Sequence, residues 1–451
     1  MVLSLLPLLI LLVPPSSFAS LSQNLTRPGV LYRKTLPAEA AAGLFLQNQP
    51  FTVVWNMPTA NCQKQHNIKL DLEECDIVEN WKQRFQGQRM TIFYRDRLGK
   101  YPYLSPDGRE VNGGLPQLGD LSAHLSLTVT QMSVLLRPDF SGAAVIDWEE
   151  WQPLWESNVG SQMEYRRQSK LLVRQERPDL LEKDVVLSAR QEFEGSAWRF
   201  MEETIRLAVR HRPKGFWGFY GFPSCFNKHK RKTDQTYTGR CHKGTRQLND
   251  RLSWLWTQST ALYPSIYLPQ RLAGSADAAL MVRHRLLEAM RVASTWRHGN
   301  NTIHTTPVLP YARLAFTHSL NFLNQTDLEH TLGESASLGA AGVVLWGEMK
   351  FAKSNQQCIL LRNYIHSTLG PFVRSLRSDT QRCSLQRCHG NGRCARRRPS
   401  SGLSLSSGRS SDPHGADESS SSRYFQRHFT CQCFPGWTGP ECHEKSGQNH
   451  D

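Results

Sequence analysis

Short apolar runs alternate with longer segments of helical periodicity along most of this chain. A strand that is buried on both faces needs apolar side chains at every position, so a short uninterrupted apolar run indicates such a strand. These runs predict strands at 51–55, 90–94, 143–147, 215–222, 262–268, 306–311 and 341–346. Apolar residues repeating at helical spacing predict helices at 121–136, 186–211, 282–294 and 328–338, and a final helix at about 358–376.

Strands that alternate with helices predict an α/β fold with a mainly parallel sheet. Seven or eight such units over about 330 residues are typical of a closed (β/α) barrel of the TIM type, which is the fold predicted for residues 20–376. An open doubly wound sheet is the alternative. No G-x-G-x-x-G follows the first predicted strand, so dinucleotide binding has no support and no cofactor is expected.

The composition changes after the predicted final helix, where six of the eleven cysteines lie between Cys383 and Cys442. The sequence CQCFPGWTGPEC fits the ending of EGF-like modules, and CHGNGRC fits their earlier part. Crowded cysteines in a short secreted segment predict disulfides that replace an adequate apolar core. We expect an EGF-like module at 377–445, a flexible Ser-rich loop inserted in it at about 398–423, and a polar tail at 446–451.

The N-terminal segment has the features of a secretory signal peptide, expected at 1–19. Its apolar core, Leu5 to Val13, is too short to span a bilayer, and Ser17 and Ala19 offer small residues for cleavage. Entry into the secretory pathway predicts disulfides and glycosylation. Sequons without proline begin at Asn24, Asn300 and Asn324. No later apolar run predicts a transmembrane helix, and the polar C-terminus argues against a lipid anchor.

The chain is basic, with 54 Lys and Arg residues against 39 Asp and Glu residues and a net charge of +15. A basic secreted protein attracts polyanions, and outside the cell these are mainly acidic polysaccharides. Nucleic acid is the competing partner, but no zinc-finger spacing, ribonucleoprotein-type motif or basic helix with interleaved aromatic residues supports it. Two basic runs, at 229–232 and 396–398, add local charge, and the second is expected to be a solvated loop.

The most informative segment is AAVIDWEEWQPLW at 143–155, where an apolar strand leads directly into carboxylates. Residues i and i+2 of a strand share a face, so Asp147 and Glu149 are expected to point together while Trp148 points away. In (β/α) barrels the carboxyl ends of the strands carry the chemistry. A solvated, charged strand end is the competing interpretation, but an exposed charge run seldom contains three tryptophans.

Several segments, taken in order, resemble the vertebrate hyaluronidases. They are D-W-E-x-W after the apolar strand, GFWGFYGFPSC at 215–225, ALYPSIYLP at 261–269, PVLPY at 307–311, GAAGVVLWG at 339–347 and the EGF-like ending. The resemblance covers nearly the whole chain after the signal peptide and is strongest for the soluble lysosomal or secreted members. It implies a (β/α) barrel hydrolase that cuts the β-1,4 bond after N-acetylglucosamine in hyaluronan, with chondroitin as a further candidate substrate. We expect it to act as a monomer, in the lysosome or outside the cell.

The residue roles follow from this resemblance by motif. Glu149 resembles the general acid that protonates the departing glycosidic oxygen, and Asp147 resembles the partner that shares its proton. Tyr267 matches the tyrosine that holds the substrate acetamido group, whose carbonyl oxygen is the nucleophile in this family. A neighbouring carboxylate and an apolar wall raise the pKa of an acid, which agrees with a proton donor. The aromatic lining of the groove matches Tyr220, Tyr311 and Trp346.

The resemblance also implies the cysteine pairing. The barrel disulfides would be Cys62–Cys358 and Cys225–Cys241, and the EGF-like module would contain Cys383–Cys394, Cys388–Cys431 and Cys433–Cys442. Cys75 is then left as a free, buried thiol without a catalytic role. Histidines such as His211 and His284 have no partners at metal-ligand spacing, so no metal is expected.

One position departs from the family pattern. Members usually carry Arg directly after the second tryptophan of D-W-E-x-W, where it pairs with a glucuronate carboxylate, and this chain has Gln152 there. Glutamine forms no charge-assisted pair, so substrate affinity, chain-length preference or pH range is expected to differ. A hyaluronan-binding or adhesion protein with little catalysis is therefore the second hypothesis. A growth-factor-like ligand is disfavoured, because the long insertion splits the EGF-like module.

Overall fold

The structure, a computed structural model, describes residues 46, 48–227, 236–296, 305–408 and 418–446 of the 451-residue chain. The predicted signal peptide, the basic run at 229–232 and most of the predicted polar tail lie outside these residues. So do the sequons that begin at Asn24 and Asn300.

The strands of the described residues agree well with the apolar runs. Two have the predicted bounds, and two others are displaced or shortened by one residue. The strands are β1 (Thr52–Asn56), β2 (Ile77–Val78), β3 (Met90–Tyr94), β4 (Tyr103–Leu104), β5 (Glu110–Val111), β6 (Ala143–Asp147), β7 (Phe216–Phe219), β8 (Tyr311–Arg313), β9 (Gly342–Trp346), β10 (Gly392–Arg396), β11 (Phe429–Cys433), β12 (Trp437–Thr438) and β13 (Glu444–Lys445).

Two parallel sheets form the centre of the fold. One has the strand order β2-β1-β9-β8, and the other has the order β3-β6-β7. Isolated parallel bridges lead from β7 to β8 through Tyr263, which bridges Tyr220, and Leu262, which bridges Val308. On the other side, the Asn80 side chain follows β2 and donates a 2.8 Å hydrogen bond to the carbonyl of Met90 in β3. Backbone pairing and this amide therefore connect the two sheets at both ends.

Alternate residues of these strands pack into two separate apolar clusters. The first contains side chains from the parallel strands and their bridging segment, namely Val54, Met90, Ile92, Ala143, Val145, Ala261, Tyr263, Leu309, Tyr311, Ala341 and Val344. The intervening side chains, such as Trp55, Phe93 and Ile146, belong to a larger cluster that includes the helices. Burial on both faces explains why these strands read as unbroken apolar runs.

Three predicted strands are shorter in the structure. The run predicted at 215–222 forms β7 only over Phe216–Phe219, and the other two are interrupted by proline. In the segment 262–268 only isolated bridges form, because Pro264 has no N–H with which to continue a ladder. The run predicted at 306–311 likewise becomes a regular strand only at Tyr311, directly after Pro310.

The helices of the described residues include all those predicted and several more. They are α1 (Ala60–His66), α2 (Leu121–Leu135), α3 (Met163–Glu176), α4 (Glu182–His211), α5 (Thr245–Asp250), α6 (Ser253–Gln258), α7 (Ala276–Thr295), α8 (Gln325–Leu328), α9 (Glu334–Ser337), α10 (Asn355–Tyr364), α11 (Gly370–Cys388) and α12 (Glu418–His428). A π-helical turn, Glu329–Gly333, joins α8 to α9. The pattern missed α3 because its buried face is narrow and includes Ser169.

The final helix of the predicted barrel is longer than expected. Together, α10, a π-helical turn (Ile365–Leu369) and α11 form one continuous helical segment. The π turn precedes Pro371, which has no N–H to offer the regular helical ladder. The helix continues past Leu376 and ends at Cys388. The domain boundary predicted between 376 and 377 therefore falls inside a helix.

The Ser-rich segment differs from the flexible loop that was expected, as far as it is described. Leu405 is 1% exposed, and the hydroxyl of Tyr424 donates a 2.9 Å hydrogen bond to the carbonyl of Ser404. Helix α12 already begins within the predicted loop. Apolar residues that precede position 409 and follow position 417, such as Leu405 and Phe425, thus pack the described parts of this segment against the antiparallel strands β10 and β11.

The solvated loop expected at 396–398 is wrong for Arg396, whose side chain is fully buried. Its guanidinium donates hydrogen bonds of 2.8 and 2.9 Å to the two carboxylate oxygens of Glu334. Glu334 also accepts a 2.6 Å hydrogen bond from Arg283 of α7. Burial of a charge is tolerated only when it is paired and hydrogen-bonded, and here two cations share one carboxylate.

Five disulfides are present in the structure, and they are the pairs that the resemblance implies. They are Cys62–Cys358, Cys225–Cys241, Cys383–Cys394, Cys388–Cys431 and Cys433–Cys442. Cys75 is a buried thiol whose Sγ lies 3.6 Å from Nη1 of Arg374. Burial raises the pKa of this thiol, so little of it is the reactive thiolate at neutral pH.

Candidate active site

The carboxylates of the D-W-E-x-W segment lie where β6 ends. Asp147 is the last residue of β6 and pairs in register with Tyr94 of β3. Trp148 is 3% exposed and stacks on Tyr101, with ring centroids 4.5 Å apart. Glu149 is exposed again. Side chains therefore continue to alternate between the two faces after the last backbone hydrogen bond of β6. Asp147 and Glu149 lie on one face, and the buried indole of Trp148 lies on the other.

Asp147 and Glu149 line the same recess, which has a volume of about 400 Å³. Its other lining residues are Tyr94, Arg95, Asp96, Tyr103 and Glu150. Arg95 forms an ion pair with Glu150, and its guanidinium lies 4.7 Å from the centroid of the Tyr103 ring. Within the described residues, neither Asp147 nor Glu149 has a cation at ion-pair distance. Arg95 therefore pairs with Glu150, whereas the other two carboxyls have no cationic partner among the described residues.

Both carboxyls have raised pKa values. Burial, followed by the charges of Glu149 and Glu150, raises the pKa of Asp147 to about 8. Although part of the Glu149 side chain is exposed, the walls of the recess desolvate its carboxyl, and this desolvation and then the charge of Glu150 raise the pKa of Glu149. The buried Oδ1 of Asp147 accepts a hydrogen bond from no described residue. The pair thus holds a proton at a pH where an isolated carboxyl has lost it.

The predicted lining residues form one aromatic cluster beside this pair. The ring centroid of Tyr220 lies 5.0 Å from that of Tyr311 and 6.0 Å from that of Tyr267. The Tyr267 ring stacks on Trp346 at 6.0 Å. Burial raises the pKa of Tyr311 well above its usual value, and the nearby charge of Asp147 adds to the shift. The structure therefore brings Tyr220, Tyr267, Tyr311 and Trp346 together next to the carboxylates.

Three polar residues of the site were not identified from the sequence. The Tyr94 hydroxyl accepts a 3.0 Å hydrogen bond from the indole N–H of Trp346. The Tyr220 hydroxyl donates to Ser265 at 3.3 Å, and the Tyr311 hydroxyl donates to Asn56 at 3.4 Å. Tyr94 and Asn56 are the last residues of β3 and β1. A polar residue at the end of an apolar run was the available signal, and it was applied to Asp147 but not to Tyr94 or Asn56.

Gln152 lies outside the recess that Asp147 and Glu149 line. Its backbone N–H donates to the side chain of Asn158, and its carbonyl accepts from the same amide, both at 2.8 Å. The residue lines a separate small recess together with Phe222 and Phe226. The chain after Trp151 thus turns away from the carboxylates, and Asn158 fixes that turn.

A larger cavity, of about 990 Å³, contains none of these residues. It lies beside α8 and α11, and exposed Asn324, the described sequon, is among its lining residues. The Asn324 side chain caps α8 by accepting a 2.9 Å hydrogen bond from the backbone N–H of Asp327. Cavity size alone therefore does not locate the chemistry of this protein.

The described residues contain neither a metal-binding cluster nor a membrane-spanning helix. No three His, Cys, Asp or Glu side chains there are grouped so as to hold a metal ion. None of the helices described is both long and apolar enough to cross a membrane.

Comparisons with known proteins decide the family. The model of the hyaluronidase family matches residues 40–446. This chain belongs to the hyaluronidase family. Hyaluronidase-3 of Homo sapiens is 44% identical to it over 396 residues, which are 88% of this chain and 91% of that protein. Hyaluronidase-1 of Homo sapiens is 41% identical over 422 residues, 91% of this chain and 95% of that protein. The predicted resemblance and the predicted class of enzyme, a glycosidase, are confirmed.

A solved hyaluronidase structure is also similar to this family member. Bee venom hyaluronidase in complex with a hyaluronic acid tetramer superimposes with a TM-score of 0.65 at 33% sequence identity. The match covers 72% of this chain and 98% of the bee venom chain. The mixed α/β class predicted from the sequence agrees with this relationship.

Proposed function

We propose that this hyaluronidase hydrolyses the β-1,4 bonds that follow N-acetylglucosamine within hyaluronan chains, with retention at the anomeric carbon. The names of its relatives and the ligand of the bee venom enzyme support the substrate. The observation that carries the proposal is the pair of Asp147 and Glu149, two carboxyls with raised pKa values in one recess beside an aromatic cluster. Such a pair is suited to proton transfer near neutral or acidic pH.

In this proposal Glu149 is the general acid. It is the more exposed of the two carboxyls and therefore the one that a substrate oxygen reaches first. Asp147 lies deeper, and its raised pKa allows it to share a proton with Glu149. As the glycosidic bond breaks, Glu149 gives its proton to the departing oxygen, and the negative charge that remains is spread over the pair.

The nucleophile is proposed to be the acetamido carbonyl oxygen of the substrate. Glycosidases that use two carboxylates place them about 5 Å or more apart, on opposite sides of the scissile bond. Asp147 and Glu149 are only two residues apart and project from the same face of the chain, opposite to Trp148. They therefore do not lie on opposite sides of a sugar ring. The carbonyl oxygen attacks the anomeric carbon and forms a cyclic intermediate. Water then opens it, with the Glu149 carboxylate accepting the proton of that water, which restores the acid and the original configuration.

Tyr267 is proposed to hold the acetamido group for this attack. It is partly buried in the aromatic cluster, and the stacked Trp346 ring limits its motion. Tyr220 and Trp346 would line the groove for the sugar faces, since aromatic rings offer rigid apolar area with a polar edge. Tyr311, which is fully buried, would contribute to this groove by packing against Tyr220. Gln152 would act outside the catalytic recess, because it lines a separate recess with Phe222 and Phe226.

We further propose that the strands close into a (β/α) barrel over residues 20–376, and that helix α11 continues from the barrel into an EGF-like module at 377–445. The connection of the two sheets at both ends and the two-sided burial of their strands support closure. Three disulfides within 383–442 support the module. The protein would be a monomeric glycoprotein of the lysosome or extracellular space, with a glycan at Asn324.

The decisive experiment is release of reducing ends from high-molecular-weight hyaluronan by the purified protein, from acid to neutral pH. Glu149→Gln keeps the shape of the side chain and removes the proton donor, so turnover should fall about 10²-fold to 10⁴-fold. Glu164→Gln, on exposed helix α3, is the matched control and should retain the parental rate. Undiminished turnover in Glu149→Gln would contradict the assignment. Release of reducing ends from chondroitin in the same assay tests the second candidate substrate.

A second candidate function, hyaluronan binding with little catalysis, rests on Gln152. The position lacks the charge that the family pattern carries there, and Asn158 holds its backbone in place. Binding of hyaluronan without product release by the parent protein would favour this function. Gln152→Arg is then the variant to test, and a gain of turnover would show that the missing charge limited catalysis.

A further inference from the structure

Arg313 brings a positive charge to the aromatic cluster. It is the last residue of β8, two residues after Tyr311, so it projects from the same face of that strand. In the sheet it is the register partner of Trp346. Its guanidinium carbon lies 5.2 Å from a ring centroid of Trp346 and 5.7 Å from that of Tyr267. The cation therefore lies against the ring of Trp346 and against that of Tyr267, the residue proposed to hold the acetamido group.

Its burial shows that this charge is held in place rather than solvated. The Arg313 side chain is 7% exposed, and a buried guanidinium needs acceptors for its N–H groups. Its Nη2 donates a 2.9 Å hydrogen bond to Oε1 of Glu348. Its Nε is buried and has no acceptor among the described residues. Arginine has five N–H donors in a rigid fork, so donors remain for a ligand.

The neighbouring charges leave a net attraction for an anion. Glu348 also forms a 2.6 Å ion pair with Lys350 through its other oxygen. Burial opposes ionisation of Glu348, but hydrogen bonds from Lys350 and Arg313 hold its pKa below the usual value. Two cations thus share one carboxylate, and the group keeps a positive charge next to the cluster. A second carboxylate is therefore attracted to it.

We propose that Arg313 binds the carboxylate of the glucuronate next to the N-acetylglucosamine held at Tyr267, and so supplies from β8 the charge that Gln152 lacks. This role rests on the proposed function, since the two sugars alternate in hyaluronan and each acetamido group has a uronate as its neighbour. A carboxylate accepts two parallel hydrogen bonds from a guanidinium. Arg313 is thus a specificity-determining residue for acidic over neutral polysaccharides.

The test compares an acidic and a neutral oligosaccharide of equal length, a hyaluronan hexasaccharide and chitohexaose. Dissociation constants are measured by calorimetry in the Glu149→Gln background, which stops turnover. Arg313→Gln should weaken hyaluronan binding about 10-fold to 100-fold, as expected for loss of a charge-assisted pair, and should leave chitohexaose binding unchanged. Arg313→Lys should recover part of the affinity. Arg167→Gln removes an equal charge from exposed α3 and serves as the matched control.

A second variant moves the affinity in the opposite direction. Glu348→Gln removes the competing carboxylate, so it should tighten hyaluronan binding and leave chitohexaose unchanged. If Arg313→Gln fails to fold, this variant still tests whether Arg313 binds the glucuronate carboxylate. Equal losses for both oligosaccharides, or no change for hyaluronan, would overturn the proposal.

The same experiments distinguish failure of the Arg313 proposal from failure of the proposed function. If the parent cleaves hyaluronan but Arg313→Gln keeps the parental KM, only the role of Arg313 is lost. If the parent binds hyaluronan without cleaving it, the binding comparison still decides the role of Arg313. If the parent neither binds nor cleaves hyaluronan, both proposals fall.

Discussion

The indole N–H of Trp346 donates a 3.0 Å hydrogen bond to the hydroxyl of Tyr94. Tyr94 also lines the recess of Asp147 and Glu149, and its ring stacks on Phe85 at 5.8 Å. One bond therefore joins the carboxyl end of β3 to that of β9. It also joins the carboxylate recess to the aromatic cluster, so a substrate that contacts both must lie across it.

Tyr94→Phe should impair catalysis more than it impairs folding. The change keeps the ring but leaves the Trp346 N–H without its acceptor, which costs about 1 kcal/mol of stability and loosens the cluster. We expect kcat/KM to fall about tenfold, because a small displacement of positioning groups is costly. Steady-state kinetics and urea unfolding measure the two effects. Tyr103→Phe, in the same recess, is the control, and equal losses in both variants would argue against a positioning role for Tyr94.

The raised pKa of Asp147 predicts how stability depends on pH. The folded state holds the proton up to about pH 8, whereas the unfolded chain releases it near pH 3.8, the ordinary pKa of an aspartate carboxyl. Folding thus favours the protonated carboxyl, so the free energy of unfolding falls as pH rises from about 4 to about 8. Asp147→Asn removes this dependence. Above pH 8 it should be more stable than the parent, by at most about 6 kcal/mol for the full shift of about four pKa units, with no difference below pH 4.

Urea unfolding of both proteins at several pH values checks this expectation. The same titration should reduce hydrolysis toward alkaline pH, because the pair then loses the proton that Glu149 must donate. A parental stability that is flat across this range, or a stabilising effect of Asp147→Asn confined to acid pH, would show that the carboxyl is ionised in the folded state.

Arg396 links the C-terminal region to α9 by a buried ion pair with Glu334. Arg396→Met should reduce the free energy of unfolding by about 3 kcal/mol, since the buried Glu334 carboxylate then loses the two charge-assisted hydrogen bonds that Arg396 donates. Arg283 still pairs with Glu334 and limits the loss. Arg397→Met changes the neighbouring arginine and should have little effect. Adding Glu334→Gln to Arg396→Met should cost less than the two single changes together, and simple additivity would exclude the coupling.

The Asn324 sequon can be tested without disturbing the cap of α8. Asn324→Asp keeps a side chain that accepts from the Asp327 N–H but removes the glycan acceptor. We expect it to lose one N-glycan, seen by intact mass, with stability changed by less than about 0.5 kcal/mol beyond the effect of the sugar. Thr326→Val should lose the same mass and Thr326→Ser should keep it. Equal masses for the parent and Asn324→Asp would show that the site is not used.

Much of the central sheet followed from the sequence because its strands are buried on both faces. Such strands need apolar residues at every position, and β3 and β6 were therefore predicted with their observed bounds. Prediction was less accurate where backbone chemistry intervened. Pro264 and Pro310 interrupted ladders that hydrophobicity alone had extended. The end of α11 was missed because its later turns pack against the C-terminal region and not against the sheet.

The sequence by itself determined the residues that are adjacent in the chain, as with Asp147 and Glu149, since the period of a strand places i and i+2 on one side. It also determined the family, because the family motifs occur in the same order along the chain. Only the tertiary structure decided which distant side chains meet. Tyr94 and Trp346 are 252 residues apart, and Arg396 lies 62 residues from Glu334. Contacts of this kind depend on the packing of whole elements, and no local pattern encodes them.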